Sequence, residues 1–349
     1  MPGDATGPPG TTSAGSLDDR RRRWIGARAP VDLNAQVGSL SLTTPVMTAS
    51  GTSGRGSELA AYGPLATLGA VVVKSLSAEP WPGNPAPRVH GVTGGMVNSV
   101  GLHGPGVAAW VDEDLHSLSA TGAVVVASIW GRSVSEFARA AAMLAGVPGI
   151  SALEVNVSCP NVEDRSRMFA HSASATADAV AAAGASGLPR WAKLSPNVAD
   201  LCSVAAAALE AGAEAVTLVN TVLGMVVDVE RRRPVLGAGG GGLSGPAIRP
   251  VAVRSIWECR SAFPGAGIVG VGGVSTGRDA VELMMAGADA VQVGTASFRD
   301  PRAAWKVSAG LERWCRRHGV QRVTELVGAA HRHDDDQLGR APYRRSSGT

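Results

Sequence analysis

Aromatic side chains make up only 4% of this 349-residue chain. A nucleic-acid surface interleaves such rings with a basic face, so this scarcity argues against that role. Cysteine is scarce too: Cys159, Cys202, Cys259 and Cys315 lie far apart with no Cys-x-x-Cys pair. That pattern suggests neither a disulfide framework nor a zinc or iron–sulfur site. No apolar run approaches the roughly 18 residues of a membrane span, and the first 30 residues lack the apolar centre of a secretory signal. A cytoplasmic protein with no membrane attachment is expected. Charge of one sign is also missing, the net being +3, with basic runs at Arg20–Arg23 and Arg340–Arg345 that read as solvated flanks. The histidines show no ligand spacing, with His331 and His333 in a polar tail, so no metal is expected. A nucleophile elbow is absent as well, which leaves Ser-His-Asp hydrolysis without support.

What the chain does have is core material, with 45% hydrophobic residues. Residues 1–29, rich in Gly, Pro, Ser and Thr and then Arg, read as a flexible extension, residues 30–325 as the folded body, and residues 326–349 as a polar C-terminal tail. Within the body a regular alternation begins. Apolar strands are expected at 45–49, 70–74, 123–129, 152–157, 191–194, 215–220, 267–271 and 290–293. Helices are expected at 57–68, 134–144, 173–183, 198–211, 248–262, 277–285 and 302–316. A long loop over 75–105 is too long for a mere connection, and a glycine-rich loop runs from 221 to 245. Eight strands followed by helices over about 280 residues predict an α/β protein, a (β/α)8 TIM barrel whose active site lies at the C-terminal ends of the strands.

The polar residues choose this barrel over an open sheet. Ser50, Lys74, Ser128, Asn156 with Cys159, Lys193, Asn220 with Thr221, Gly272–Gly273 and Gly294–Thr295 all fall at or just past the ends of successive strands. Only a barrel brings all those ends to one face. Leu153–Asn161 is the richest stretch, a strand running into a thiol set between two carboxamides. Pro160 restricts Cys159 to extended backbone, so Asn156, Cys159 and Asn161 are expected to project from one strand end. Lys74 and Lys193 together suggest an anionic ligand, and the glycines after the last two strands suit a phosphate held on backbone N–H groups. Gly237–Gly242 matches a dinucleotide fingerprint literally but lacks the strand–helix context, so a mobile glycine loop near the mouth is expected instead. A phosphate-bearing cofactor, lysines, carboxamides and a thiol placed as a base together suit a flavin redox step.

Over residues 31 to 320 the chain resembles the class 1 dihydroorotate dehydrogenases. Carrying that resemblance are Lys74–Ser75, Gly83–Arg88, Gly94–Leu102, Asn156–Asn161, Lys193–Asn197, Val219–Thr221, Gly242–Ala247 and Gly270–Val274, in family order. The resemblance implies bound FMN, and oxidation of dihydroorotate to orotate in pyrimidine synthesis. It implies Cys159 as the base at C5 while hydride leaves C6, and Lys193 as the charge that stabilises the reduced flavin. Lys74 would sit between flavin and substrate. Asn98, Asn156, Asn161, Asn220 and Thr221, with the backbone around Gly101 and Leu102, would hold the substrate. Ala49, Ser50, Lys74, Ser75, Ser128, Asn156, Lys193, Gly245, Gly272, Gly273, Gly294 and Thr295 would hold FMN.

Within class 1, Glu79–Asn84 and Leu243–Ala247 look more like the NAD-linked branch, which implies a second subunit carrying FAD and an iron–sulfur cluster. A homodimeric core is expected. Ser128 stands where that branch often has asparagine, and His103–Gly104 replaces its usual Gln-Asn. Two other readings remain open, a related FMN enzyme acting on another dihydropyrimidine such as dihydrouracil, and an FMN-binding barrel without turnover.

Overall fold

The computed structural model describes residues 30–161 and 167–333. The expected extension at 1–29 and the charged end at 334–349 lie outside these residues. Eight parallel strands form the framework: β1 (Val46–Thr48), β2 (Val71–Val72), β3 (Val125–Ile129), β4 (Ala152–Asn156), β5 (Arg190–Leu194), β6 (Ala215–Leu218), β7 (Gly267–Val271) and β8 (Ala290–Val293). Their hydrogen-bonded order is β1-β8-β7-β6-β5-β4-β3-β2. The two ends of that order meet, since Gly69 N–H donates to Val46 O at 2.8 Å and Thr48 N–H to Ala70 O at 3.2 Å. The expected barrel is therefore present, with helices between its strands.

The strands are short runs of Val, Ala, Leu and Ile buried on both faces, as parallel strands must be when helices cover the outside and side chains fill the inside. Met47, Val72, Val126, Trp191 and Val269 share the inner layer with Ala35, Val37 and Leu42 of the hairpin Ala35–Val37/Leu40–Leu42. That hairpin meets the N-terminal ends of the strands, where Ser39 N–H donates to Glu214 Oε2 at 2.7 Å just ahead of β6. Trp191 is among the largest side chains of that layer and is fully buried.

Helix starts follow local chemistry. Ser133, Ser172, Asp200 and Thr276 each accept a backbone N–H from the first turn, and Thr276 forms a capping box with Asp279. The Asp200 cap places the third of these starts at Leu201 rather than at 198. At 57–68 the structure has no single helix but two 3-10 turns, Ser57–Ala61 and Leu65–Thr67. Gly63 and Pro64 interrupt it, because Pro64 lacks the N–H and restricts the residue before it. Residues 107–119 form an unexpected helical stretch: α-helix over Val107–Trp110, one π turn over Val111–Leu115, and α-helix over His116–Ser119.

The two long loops do not simply wander. The hairpin Val89–Val92/Gly95–Asn98 pairs through its second strand with Gly241–Ser244, which pairs in turn with Val222–Gly224. The result is a four-stranded antiparallel sheet beside the strand C-termini. The glycine-rich segment expected as a mobile loop thus ends in a strand. The chain also stays packed on the barrel beyond residue 325. His331 stacks on Trp257 with ring centroids 3.6 Å apart, and its Nε2 lies 2.9 Å from Ala286 O.

Candidate active site

A cavity of about 1250 Å³ opens at the C-terminal ends of the strands, roofed on one side by the antiparallel sheet. Among the expected site residues, Ala49, Ser50, Lys74, Ser75, Asn98, Gly101, Leu102, Asn156, Lys193, Asn220, Thr221, Gly245, Gly272, Gly273, Gly294 and Thr295 all line it. Residues more than 240 positions apart in sequence converge because most follow or end a strand of one barrel, while Asn98, Gly101, Leu102 and Gly245 come from the roof sheet and the turns after it. Ser128 and Cys159 are not among the lining residues, and the side chain of Asn161 lies outside what the structure describes.

One continuous polar network runs across the cavity wall. Ser75 Oγ lies 3.1 Å from Ser50 Oγ and 2.8 Å from Ser128 Oγ, so Ser128 supports the wall from behind. Asn156 Nδ2 donates to Ser75 Oγ at 3.3 Å, while Asn156 Oδ1 accepts from Asn220 Nδ2 at 3.1 Å and from Ser158 N–H at 3.1 Å. Asn220 Oδ1 accepts the Thr221 N–H at 2.8 Å. These bonds fix which end of each carboxamide is donor and which is acceptor. Asn98 joins from the roof, donating to Gly242 O at 3.2 Å.

Cys159 sits one layer back. Its thiol is fully buried and donates to Gly131 O at 2.9 Å, while its neighbours Asn156 and Ser158 face the cavity. Burial pushes the thiol up to about 12, and the nearby Glu136 carboxylate adds to the rise. Asn161 stands on the short strand Pro160–Asn161, paired with Arg167–Met168.

The two lysines differ in their surroundings. Lys193 Nζ reaches the fully buried Glu154 Oε1 at 3.3 Å. Lys74 has no carboxylate partner among the described residues, and burial together with the Lys193 charge pulls it down to about 8. The cavity therefore presents an uncompensated cation to whatever enters. Gly272 and Gly273 take φ values of +132° and +75°, and a Cβ on Gly273 would lie 2.6 Å from Arg249 Cβ, so only glycine leaves backbone N–H groups exposed there.

Three groups escaped the sequence reading. Asn197 Nδ2 donates to Thr221 O at 2.9 Å and its Oδ1 accepts from Leu223 N–H at 2.9 Å, which pins the Thr221 loop. Glu154 and Gln292 lie inside the barrel below Lys193, Gln292 Nε2 donating to Glu154 Oε2 at 2.7 Å. Alternation along Ala152–Asn156 and Ala290–Val293 already placed them on the inward side, and a carboxylate there was the available signal. At the rim, Trp81 and Trp130 pack edge to face at 5.8 Å, with the Arg132 guanidinium 4.6 Å from the Trp81 ring centre.

The residues suit a flavin mononucleotide with a small anionic ring beside it. The volume is ample for both. The indole N–H of Trp130 and the hydroxyls of Ser99 and Ser158 are buried without a protein partner, and all three residues line the cavity. Among the described residues no group of three His, Cys, Asp or Glu is placed to hold a metal, and no helix is long and apolar enough to cross a membrane.

Comparison with known proteins bears on this arrangement. A family profile described as dihydroorotate dehydrogenase matches residues 32–314. The catalytic subunit of dihydroorotate dehydrogenase B (NAD(+)) from Desulforudis audaxviator is 50% identical over 297 residues, covering 85% of this chain and 96% of that protein. Proteins of the same name from Geobacter sp. strain M21 and Pelobacter propionicus are 43% and 44% identical over 299 residues, each covering 85% of this chain and 98% of theirs. These names agree with the resemblance read from Glu79–Asn84 and Leu243–Ala247. With the barrel, the motifs in order and nearly full-length relatives in hand, the chain belongs to the dihydroorotate dehydrogenase family.

Proposed function

We propose that this chain is the FMN-bearing catalytic subunit of a dihydroorotate dehydrogenase, oxidising dihydroorotate to orotate in pyrimidine synthesis. One observation carries the reading: an uncompensated buried lysine, Lys74, shares a single cavity with a carboxamide network and with Lys193. A substrate carboxylate supplies the counter-charge that Lys74 lacks, which favours dihydroorotate over dihydrouracil.

FMN, when bound, supplies the two-electron acceptor. Gly272, Gly273, Gly294 and Thr295 line the part of the cavity suited to its phosphate, and Ala49, Ser50, Ser75 and Lys193 line the part suited to its ring. Ser128 acts on that part through Ser75. Asn98, Asn156, Asn161, Asn220 and Thr221, with the backbone of Gly101 and Leu102, orient the substrate, each carboxamide offering donor and acceptor to a cyclic imide. Cys159 acts as the base at C5 as hydride departs from C6: its own thiol proton first passes to solvent, and the resulting thiolate accepts the C5 proton. In the described state its thiol bonds to Gly131 O, so proton removal requires the sulfur to leave that carbonyl and face the ring.

The subunit works with a partner carrying FAD and an iron–sulfur cluster, around a homodimeric core in the cytoplasm. The relatives' name, catalytic subunit, supports the partner. An anaerobic visible spectrum of the purified chain, before and after dihydroorotate, tests the proposal. Bleaching of a flavin band is expected, and a band that persists would point to a different substrate or to binding without turnover.

A further inference from the structure

Glu154 is a carboxylate with no exposed surface, set in the middle of β4 inside the barrel. Burying such a charge is costly unless it is paired, and a barrel interior of this kind is packed as well by aliphatic side chains. The Glu154–Lys193 pair therefore needs a reason other than stability, and its asymmetry supplies one. Lys193 lines the cavity, whereas Glu154 and Gln292 do not. The ammonium stands at the cavity wall with the carboxylate directly behind it. Each carboxylate oxygen has one partner, Lys193 Nζ on Oε1 at 3.3 Å and Gln292 Nε2 on Oε2 at 2.7 Å. Gln292 cannot be turned over, because its carbonyl oxygen would then face a carboxylate that only accepts. Gln292 Oε1 and Thr217 Oγ1 are also buried there without protein partners. Lys74 is the internal contrast, lining the same cavity without a carboxylate partner among the described residues, whereas Lys193 has Glu154.

We propose that Glu154, held by Gln292, is a positioning residue that fixes the Lys193 ammonium in place to receive the negative charge that develops on the bound ring. The proposal rests on the FMN reading above. Lys74 is left to pair with the ligand, while Lys193 is committed in advance to a place the ligand does not choose.

The test is the affinity of the FMN-loaded chain for sulfite, which adds to a flavin ring and leaves it negatively charged, so that binding reports a fixed cation near the ring without substrate turnover. In Glu154→Gln the sulfite dissociation constant is expected to rise at least tenfold, while FMN affinity changes by less than about threefold. Gln292→Met is expected to give a smaller rise in the same direction, and serves if the first variant folds poorly. In a Lys193→Met background, Glu154→Gln is expected to change sulfite affinity less than twofold, because Glu154 acts through Lys193. Tighter sulfite binding in Glu154→Gln would show that the carboxylate merely offsets the lysine charge, and would overturn the proposal. An unchanged constant would do the same by making the pair structural. A wild-type chain that shows no flavin band would sink the FMN reading itself, which is distinguishable from either result.

Discussion

The proposed pairing of Lys74 with the substrate carboxylate predicts that orotate binding depends on pH. The fall of Lys74 from the ordinary 10.5 to about 8 means that the buried site disfavours the ammonium by about 3 kcal/mol, at ~1.4 kcal/mol per tenfold change in proton affinity. Burial is the larger cause and the Lys193 charge the smaller. A carboxylate placed beside Lys74 favours the ammonium, so the ligand binds best to the protonated form. Below about 8 that form is already present, and above it each binding event must first recover a proton. At pH 9 only about one site in ten is protonated before binding, so the orotate dissociation constant of the flavin-loaded chain is expected to rise roughly tenfold between pH 7 and pH 9. Calorimetry near pH 8 in buffers of different ionisation enthalpy is expected to show uptake of about half a proton per site. Lys74→Met removes the dependence and weakens binding at pH 7. A constant that stays flat over this range in the wild-type chain, or an equal slope in Lys74→Met, would refute the reasoning.

Asn197→Ala frees the Thr221 loop by removing the bonds to Thr221 O and Leu223 N–H. It is expected to raise the KM for dihydroorotate about tenfold, with kcat changed less, in steady-state assays. Trp191→Ala empties the barrel interior, where the indole is fully buried, and is expected to cost about 3–5 kcal/mol in denaturant unfolding. A loss below about 1 kcal/mol would mean that the inner layer collapses around the gap.

The barrel was legible because its strands are apolar β-branched runs and its helix starts carry Ser, Thr or Asp caps, signals written within a few residues of each element. The roof sheet was not legible. Gly95–Asn98 and Gly241–Ser244 have little strand propensity, and they pair because glycine lets the backbones close in. A Cβ on Gly95 would lie 1.9 Å from Ser244 O, and one on Gly241 2.3 Å from Asn98 O. Such a requirement is visible only once both segments are in place. The split of 57–68 at Gly63–Pro64 was readable and outweighs the apolar spacing on either side. Most of the site could be read from polar residues at strand ends. Glu154 and Gln292 could not be read that way, since they stand within strands and act from inside the barrel. Asn197 was visible within its motif, but its hold on a loop 24 residues later depends on β5 and β6 being neighbours.

The withdrawn position of Cys159 puts the most weight on its assignment as the base. Its thiol is buried against Gly131 O and pushed up to about 12, so it does not act as a standing thiolate. The direct measurement is anaerobic stopped-flow reduction of the flavin-loaded chain by dihydroorotate, comparing wild type with Cys159→Ala. With flavin binding intact, the variant is expected to lose about 10²–10⁴-fold in reduction rate, the usual range for removal of a general base. Reduction of Cys159→Ala at the wild-type rate would contradict the account, and would leave the cavity's chemistry to residues other than this thiol.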